Sequence, residues 1–151
     1  MNKLLATWVA ALSLLAIVGC ADPVKHGTAS GRPEVTIPGK SAKDVLAFTT
    51  NELINKGYQI RSRNEMNAVF ETKFTETGAF LLSGPGLAGP VLRLTLDFVD
   101  VSGQTRILAS QALVSNPGGQ KGVPEKVNST DGMAISRDVQ SLLNSIRDQM
   151  K

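Results

Sequence analysis

Residues that catalytic and metal sites usually require are scarce in this chain of 151 residues, which contains one histidine and one cysteine. A Ser-His-Asp hydrolase needs a histidine held beside its nucleophile, yet the only histidine, His26, lies in a segment predicted to be a flexible tether. HExxH motifs, paired cysteines at metal-ligand spacing and GxxxxGKS/T phosphate loops are all missing from the sequence. We therefore expect no enzyme, no metal site and no dissociable cofactor.

Aromatic residues and concentrated positive charge are also in short supply. Phe, Tyr and Trp make up 5% of the chain, and its formal net charge of +3 is spread along the sequence. A nucleic-acid-binding surface needs a basic stripe with aromatic residues between the cations. Arg61 and Arg63 are instead typical of a solvated strand face that can pair with Glu71, so no nucleic-acid partner is expected.

A pair of nearby carboxylates is the minimum that sugar cleavage requires, and Asp97 and Asp100 are close in sequence. Alternation along the predicted strand assigns Asp97 to a wet face, whereas Asp100 begins a turn. This pattern favours solvated or structural roles for both residues.

Residues 1–19 have the layout of a secretory signal peptide. Met1-Asn2-Lys3 is positively charged, residues 4–18 are apolar apart from Thr7 and Ser13, and Gly19 is the small residue that a signal peptidase needs. The apolar run is too short for an ordinary membrane-spanning helix, which takes about 20 residues. Cys20 follows directly, although a free cysteine is in general often a small core residue.

The segment Ile17-Val18-Gly19-Cys20 resembles the lipobox of bacterial lipoproteins. This resemblance implies that the signal peptide is removed, that the Cys20 thiol carries diacylglycerol and that the new amino terminus is acylated. Several acyl chains are needed because one chain alone anchors a protein only marginally. Ala21 after the cysteine favours the outer membrane, with the domain facing the periplasm, while Asp22 keeps the inner membrane as the alternative.

The mature chain divides into a tether and one domain. Residues 20–34 are predicted to be the lipidated cysteine and a flexible tether, because residues 21–34 hold two prolines and two glycines without a hydrophobic period. Fourteen residues of such coil have a root-mean-square reach of about 20 Å. Residues 35–151 have the usual length of a single domain.

Strand and helix patterns alternate along residues 35–151. Ser41, with Asp44 three residues later, resembles a capping box that begins a helix. The hairpin over 58–75 is predicted to have one buried and one wet face, with Tyr58 and Ile60 on the same side. Strands are predicted over 35–37, 58–63, 68–75, 91–99 and 105–114, a loop over 115–128, and helices over 41–56 and from Thr130 or Asp131 onward.

These elements predict an α+β domain with the order β-α-β-β-β-β-α. A single antiparallel sheet of about four to five strands, with two helices packed on one face, buries the apolar stripes of both helices. By element order alone, the domain resembles the small helix-grip-type domains of envelope lipoproteins, including accessory lipoproteins of outer-membrane protein assembly. The resemblance of element order carries no activity with it.

Residues 78–90 form an unusual connection that is apolar, rich in glycine and proline, and free of charge. Loops between strands are usually short, with a median of about 4–6 residues. The segment either covers the open end of the core, contacts a membrane, partner or ligand, or prolongs the sheet. Its candidate contact residues are Phe80, Leu81, Leu82 and Leu87.

The sequence thus favours a lipid-anchored envelope protein that acts as a non-enzymatic binding or assembly accessory of a membrane-associated complex. Its expected contact surfaces are the apolar segment 78–90 and any exposed strand edge, the latter through strand addition. The alternative is a periplasm-facing carrier of a lipid or small molecule, with an apolar pocket between sheet and helices. The expected partners are the membrane, through the lipid anchor, and an envelope protein.

Overall fold

The computed structural model describes residues 26–74, 86–130 and 135–151. In these ranges the predicted α+β class is confirmed, with one antiparallel sheet, two helices and the order β-α-β-β-β-β-α. The sheet has one strand more than predicted, a short sixth strand that precedes the last helix. The elements are β1 (Glu34–Pro38), α1 (Ala42–Asn55), β2 (Gln59–Arg63), β3 (Asn67–Lys73), β4 (Val91–Val101), β5 (Gln104–Ser115), β6 (Lys126–Ser129) and α2 (Ile135–Gln149).

The sheet is ordered β1-β5-β4-β3-β2, and β6 pairs with the far end of β5 beside β1. The long β4 and β5 strands form its centre, joined by a turn at Ser102 and Gly103, whose φ angles are 52° and 78°. Two consecutive residues with positive φ match the twist of the flanking strands in a tight hairpin. Asp100, which is predicted to begin the turn, and Val101 still belong to β4, so the turn is shorter than the sequence predicts.

Both helices cover the same face of the sheet and share one core with it. Alternate residues of β4 and β5 point into this core, since side chains of a strand alternate between the two faces. We call the opposite, helix-free face the outer face. The fully buried large side chains come from both helices and the sheet: Phe70, Phe98, Ile37, Leu53, Leu94, Leu96, Ile107, Leu143 and Ile146.

Helix α1 begins where the capping pattern predicts. The Ser41 hydroxyl oxygen accepts the Asp44 N–H at 3.2 Å, and the hydroxyl donates to the Asp44 carboxylate at 2.7 Å. The helix ends at Asn55, and Gly57 then adopts a φ of 85°, as a left-handed residue after a helix often does. Tyr58 packs against the core, where burial, and then Asp138, raise the pKa of its hydroxyl.

Two sequence predictions are wrong for the edges of the sheet. Every residue of β2 is exposed, so this strand has no buried face, because it is the last strand of the sheet. Its register with β3 also shifts between Ile60 and Ser62. The region 115–128, predicted to be a loop, contains β6 and the short 3-10 turn Gln120–Gly122. Thr130 donates its N–H to Gln111 of β5 at 3.0 Å, and Asp131 lies outside the described residues.

Helix α2 packs against β1 and bonds the backbone of its first residue. Val139, Leu143 and Ile146 are buried, and Leu142 and Met150 pack partly against the core. The Gln140 side chain accepts the Glu34 N–H and donates to the Glu34 carbonyl, each at 3.0 Å. An amide side chain thereby occupies the backbone groups that an edge strand would offer to another strand.

The described part of the predicted tether contains a hydrogen-bonded turn in front of β1. The Glu34 carboxylate accepts the N–H groups of Ala29 and Ser30 at 3.1 and 3.2 Å, and it is ion-paired with Arg106 of β5. Thr28 donates its hydroxyl to the Arg32 carbonyl at 2.6 Å. These contacts fasten residues 28–33 to the sheet.

Candidate functional site

Most residues that the sequence proposed as contact sites lie outside the described residues. Cys20 precedes them, and Phe80, Leu81 and Leu82 fall in the gap between 74 and 86. Leu87 is described and is half-buried. Its neighbour Gly86 lies against Lys121, because a Cβ added to this glycine would meet the lysine Nζ at 2.6 Å.

The strand edges differ in how open they are. Gln140 occupies the backbone groups of Glu34 at the start of β1, while the central part of β5 is covered by Pro33 and Thr130, whose backbone groups bond to Ala109 and Gln111. Among the described residues, β1, β2 and the four-residue β6 each pair with one other strand only. The β2 edge carries a register shift and two arginines, features that natural edge strands use against strand addition.

Arg61, at the β2 irregularity, belongs to a closed ring of ion pairs on the outer face. We define the ion-pair ring as Arg61, Glu71, Arg93 and Glu125. Arg93 lies 2.6 Å from Glu71 and 2.7 Å from Glu125, and Arg61 lies 3.2 and 3.3 Å from the same two carboxylates. The predicted pairing of Arg61 with Glu71 is confirmed.

The ion-pair ring ties the segment before β6 to the sheet. The hydrogen bond from Arg93, followed by that from the Gly118 N–H, lowers the pKa of Glu125 to about 2 against the opposing effect of burial. The same hydrogen bond, which Arg93 donates to Glu125, is the largest contribution raising the pKa of the guanidinium. We assign the ring a structural role, because its two guanidinium groups and two carboxylates balance one another in charge.

Arg63 has a different environment from Arg61. It pairs in register with Ala68, a buried residue, so the β2 irregularity turns Arg63 toward the helix side of the sheet. There an open cleft of about 730 Å³ lies between the start of α1 and the β2–β3 turn. Its lining residues are Ala42, Lys43, Leu46, Arg63, Asn64, Glu65, Met66 and Asp100.

The flank of α1 that carries Lys43 extends beyond this cleft toward the end of the helix. Residues spaced by three or four positions share one flank of a helix. On α1 this spacing joins Lys43, Ala47, Thr50 and Ile54. Helix α1 contacts β2, and Ile60 pairs in register with the core residue Phe70. We call the surface from Ile54 and Ile60 to the cleft the α1–β2 groove.

The α1–β2 groove exposes large apolar side chains. Ile54, Ile60 and Met66 are 47%, 44% and 57% exposed, while Leu46 in its floor is buried. Large apolar side chains exposed on one side of a domain commonly mark an interaction site. Sequence reasoning missed this surface because isoleucine is usually a core residue, and nothing in the sequence shows that Ile54 and Ile60 are exposed.

The walls of the groove are rigid. The Asn64 carboxamide oxygen accepts the N–H groups of Met66 and Asn67 at 2.9 and 2.7 Å, which fixes the β2–β3 turn. The Met66 carbonyl accepts the Phe98 N–H at 2.8 Å, so the turn is also joined to β4. Met66 is therefore held outward by its backbone.

The groove does not carry an obvious catalytic group. Asp97 and Asp100 are separated, since Asp97 accepts a 2.6 Å hydrogen bond from Asn67 on the outer face, whereas Asp100 lines the cleft and accepts one from Thr105. Across the three described ranges, no three His, Cys, Asp or Glu side chains are grouped so that they can hold a metal ion. Within those ranges, neither helix is both long and apolar enough to span a bilayer.

Comparison with known proteins gives no family for this chain. It matches no protein-family model and no curated protein sequence. Its functional interpretation therefore depends on the residues and geometry described above.

Proposed function

We propose that this chain is a lipid-anchored envelope protein that docks on another envelope protein as a non-enzymatic accessory of a membrane-associated complex. The observation that carries the docking proposal is the α1–β2 groove, with Ile54, Ile60 and Met66 exposed on rigid elements. Binding energy at interfaces concentrates in a few preorganised side chains, which is the arrangement that this groove offers. The lipobox at Ile17–Cys20 supports the membrane anchor.

The anchor is proposed to be diacylglycerol and an N-acyl chain on Cys20, after removal of residues 1–19. The outer membrane, with the domain facing the periplasm, is favoured by Ala21, and the inner membrane is the alternative. No nucleic-acid partner is proposed, because Arg61 and Arg63, the nearest feature to a basic patch in the sequence, do not form one. Arg61 is ion-paired with Glu71 and Glu125, and Arg63 lies toward the other face of the sheet.

Photo-crosslinking in intact cells tests the docking function. A photoreactive residue replaces Met66 in one variant and Leu87 in another, and adducts are identified by mass spectrometry. A discrete protein adduct from either position is expected. Adducts to lipid only, or none from either position, would refute docking.

A lipid or small-molecule carrier is the second candidate function, and the volume of the cleft favours it. Ligand pockets are typically about 300–1,000 Å³, and the cleft encloses about 730 Å³. A carrier is expected to co-purify with an organic ligand and to gain thermal stability from it, because a ligand that binds only the folded state stabilises that state. A docking protein is expected to be purified empty.

A further inference from the structure

The charges that line the cleft between the start of α1 and the β2–β3 turn indicate which class of small molecule it takes. This inference rests on the carrier function, the second candidate above, and is independent of docking. The cleft is lined by two cations, Lys43 of α1 and Arg63 of β2. It is also lined by two carboxylates, Glu65 of the β2–β3 turn and Asp100 of β4. The formal charges of the lining therefore cancel.

This balance of charge favours a ligand that carries both signs. A purely anionic or purely cationic ligand meets a like charge in the cleft as well as an opposite one, and like charges oppose binding. An apolar ligand removes water from charged groups without pairing them, which costs free energy. A zwitterion can place a group of opposite charge against both the cations and the carboxylates.

The charges of the cleft are available to a ligand because they are not paired with each other. Within the described part of the chain, none of Lys43, Arg63 and Glu65 takes part in an ion pair, while Asp100 accepts a hydrogen bond from Thr105. The ion-pair ring on the outer face also has two cations and two carboxylates, but its contacts lie between 2.6 and 3.3 Å. In the cleft the opposite charges stand apart, so ligand groups can enter between them.

Apolar residues between these charges favour a ligand with an apolar side chain close to its charged groups. Ala42 and Leu46 form a buried floor, and Met66, which is 57% exposed, lines the cleft from the β2–β3 turn. Small-molecule sites typically combine such an apolar lining with a few polar groups that orient the ligand. Amino acids and short peptides carry an ammonium, a carboxylate and a side chain within one small molecule.

We infer that the cleft binds a small zwitterion of the amino-acid or short-peptide class. The carboxylate of the ligand faces Lys43 and Arg63, and its ammonium faces Glu65. An apolar side chain of the ligand lies against Leu46 and Met66.

The test uses the full-length, lipidated chain in micelles of a nonionic detergent, with binding followed by NMR of its backbone amides. The probe is the dipeptide alanyl-leucine. Its N-acetyl form lacks the ammonium, and its C-terminal amide lacks the carboxylate. Phosphoethanolamine, a lipid headgroup that pairs an ammonium with a phosphate and has no apolar side chain, is the fourth probe.

We expect alanyl-leucine to shift the amide signals of Lys43 and Met66 with a dissociation constant of about 1 mM, since the ligand is small and the cleft is open. Blocking either end of the dipeptide is expected to weaken binding about fivefold, because each block removes one partly solvated charge pairing. Phosphoethanolamine is expected to bind more weakly than the free dipeptide.

Substitutions in the cleft then assign each end of the ligand. Arg63→Gln is expected to reduce the preference for the free carboxylate over the amide and to leave the preference for the free ammonium. Glu65→Gln is expected to do the reverse. Arg32→Gln, which removes an exposed cation that does not line the cleft, is the control and is expected to change neither preference. Circular dichroism verifies that each variant is folded.

The outcomes separate this inference from the carrier function. The zwitterion class is overturned when the blocked dipeptides bind as well as the free one, when phosphoethanolamine binds more tightly, or when Arg63→Gln and Glu65→Gln leave both preferences unchanged. It is also overturned when no probe binds at about 10 mM. An apolar ligand that co-purifies with the chain overturns the zwitterion while the carrier function stands. The carrier function itself fails when no ligand co-purifies and no probe binds.

Discussion

Glu125→Gln is expected to destabilise the domain by opening the ion-pair ring. The substitution removes the charge that faces Arg93 at 2.7 Å and Arg61 at 3.3 Å but keeps an oxygen that can accept the Gly118 N–H. The pKa of Glu125 falls from 4.5 to about 2. At about 1.4 kcal/mol for each pKa unit, this difference sets an upper bound of about 3 kcal/mol.

Solvent reduces that bound, because the Glu125 and Arg93 side chains are 20% and 15% exposed. Exposed ion pairs contribute about 0–1 kcal/mol, whereas breaking a fully buried pair costs about 3–5 kcal/mol. We expect Glu125→Gln to lower the free energy of unfolding by about 2 kcal/mol near neutral pH. Urea denaturation, followed by circular dichroism, measures this loss.

The effect of Glu125→Gln must also depend on pH. A carboxylate whose pKa is lower in the folded than in the unfolded state stabilises the fold above the unfolded value. That stability is lost as the pH falls from 4.5 toward about 2. The difference between the wild type and the variant is therefore expected to narrow over this range.

Asp148→Asn provides the matched control, because Asp148 lies on the surface of α2 and pairs with Arg147 and Lys151. We expect no measurable change in its urea midpoint. Two results would refute the reasoning. One is a urea midpoint of Glu125→Gln equal to that of the wild type near neutral pH, and the other is a loss of unfolding free energy that is as large at about pH 3 as at neutral pH.

Three further changes test separate parts of the molecule. Gln140→Leu is expected to cost about 1–2 kcal/mol and to speed hydrogen exchange at the Glu34 amide, because it removes both bonds to that residue. Gly57→Ala is expected to cost about 1–2 kcal/mol in urea denaturation, since φ is 85° there; Gly27→Ala, with open space around it, is the control. Cys20→Ser is expected to abolish metabolic labelling with palmitate, and unchanged labelling would end the lipoprotein proposal.

The central elements could be predicted because their signals are local. Alternation of apolar residues marks β4 and β5, and a capping pattern together with an apolar stripe marks α1. Val139, Leu143 and Ile146 have the helical spacing that identifies the buried face of α2.

The edges of the sheet could not be predicted in the same way. All four residues of β6 are exposed, so its strand conformation comes from pairing with β5 and leaves no apolar alternation in the sequence. The register shift between Ile60 and Ser62 likewise has no characteristic residue pattern in the sequence. It separates Arg61 from Arg63, which the sequence assigned to a single face.

The ion-pair ring and the α1–β2 groove arise from contacts between distant parts of the chain. Glu125 meets Arg93 only because the segment before β6 returns over the outer face. Ile60 looks like a core residue in the sequence, and its exposure of 44% follows from its place on the last strand of the sheet. One sequence contains no local signal for either arrangement.

The turn fastened by Glu34 limits how far the domain can stand from a bilayer. Eight residue steps separate Cys20 from Thr28, whose hydroxyl is hydrogen-bonded within the turn. Even a fully extended chain covers only about 28 Å over eight steps. With Cys20 lipidated as proposed, this short connection keeps the domain within about 28 Å of the bilayer surface. A partner protein therefore has to present its binding segment within that layer.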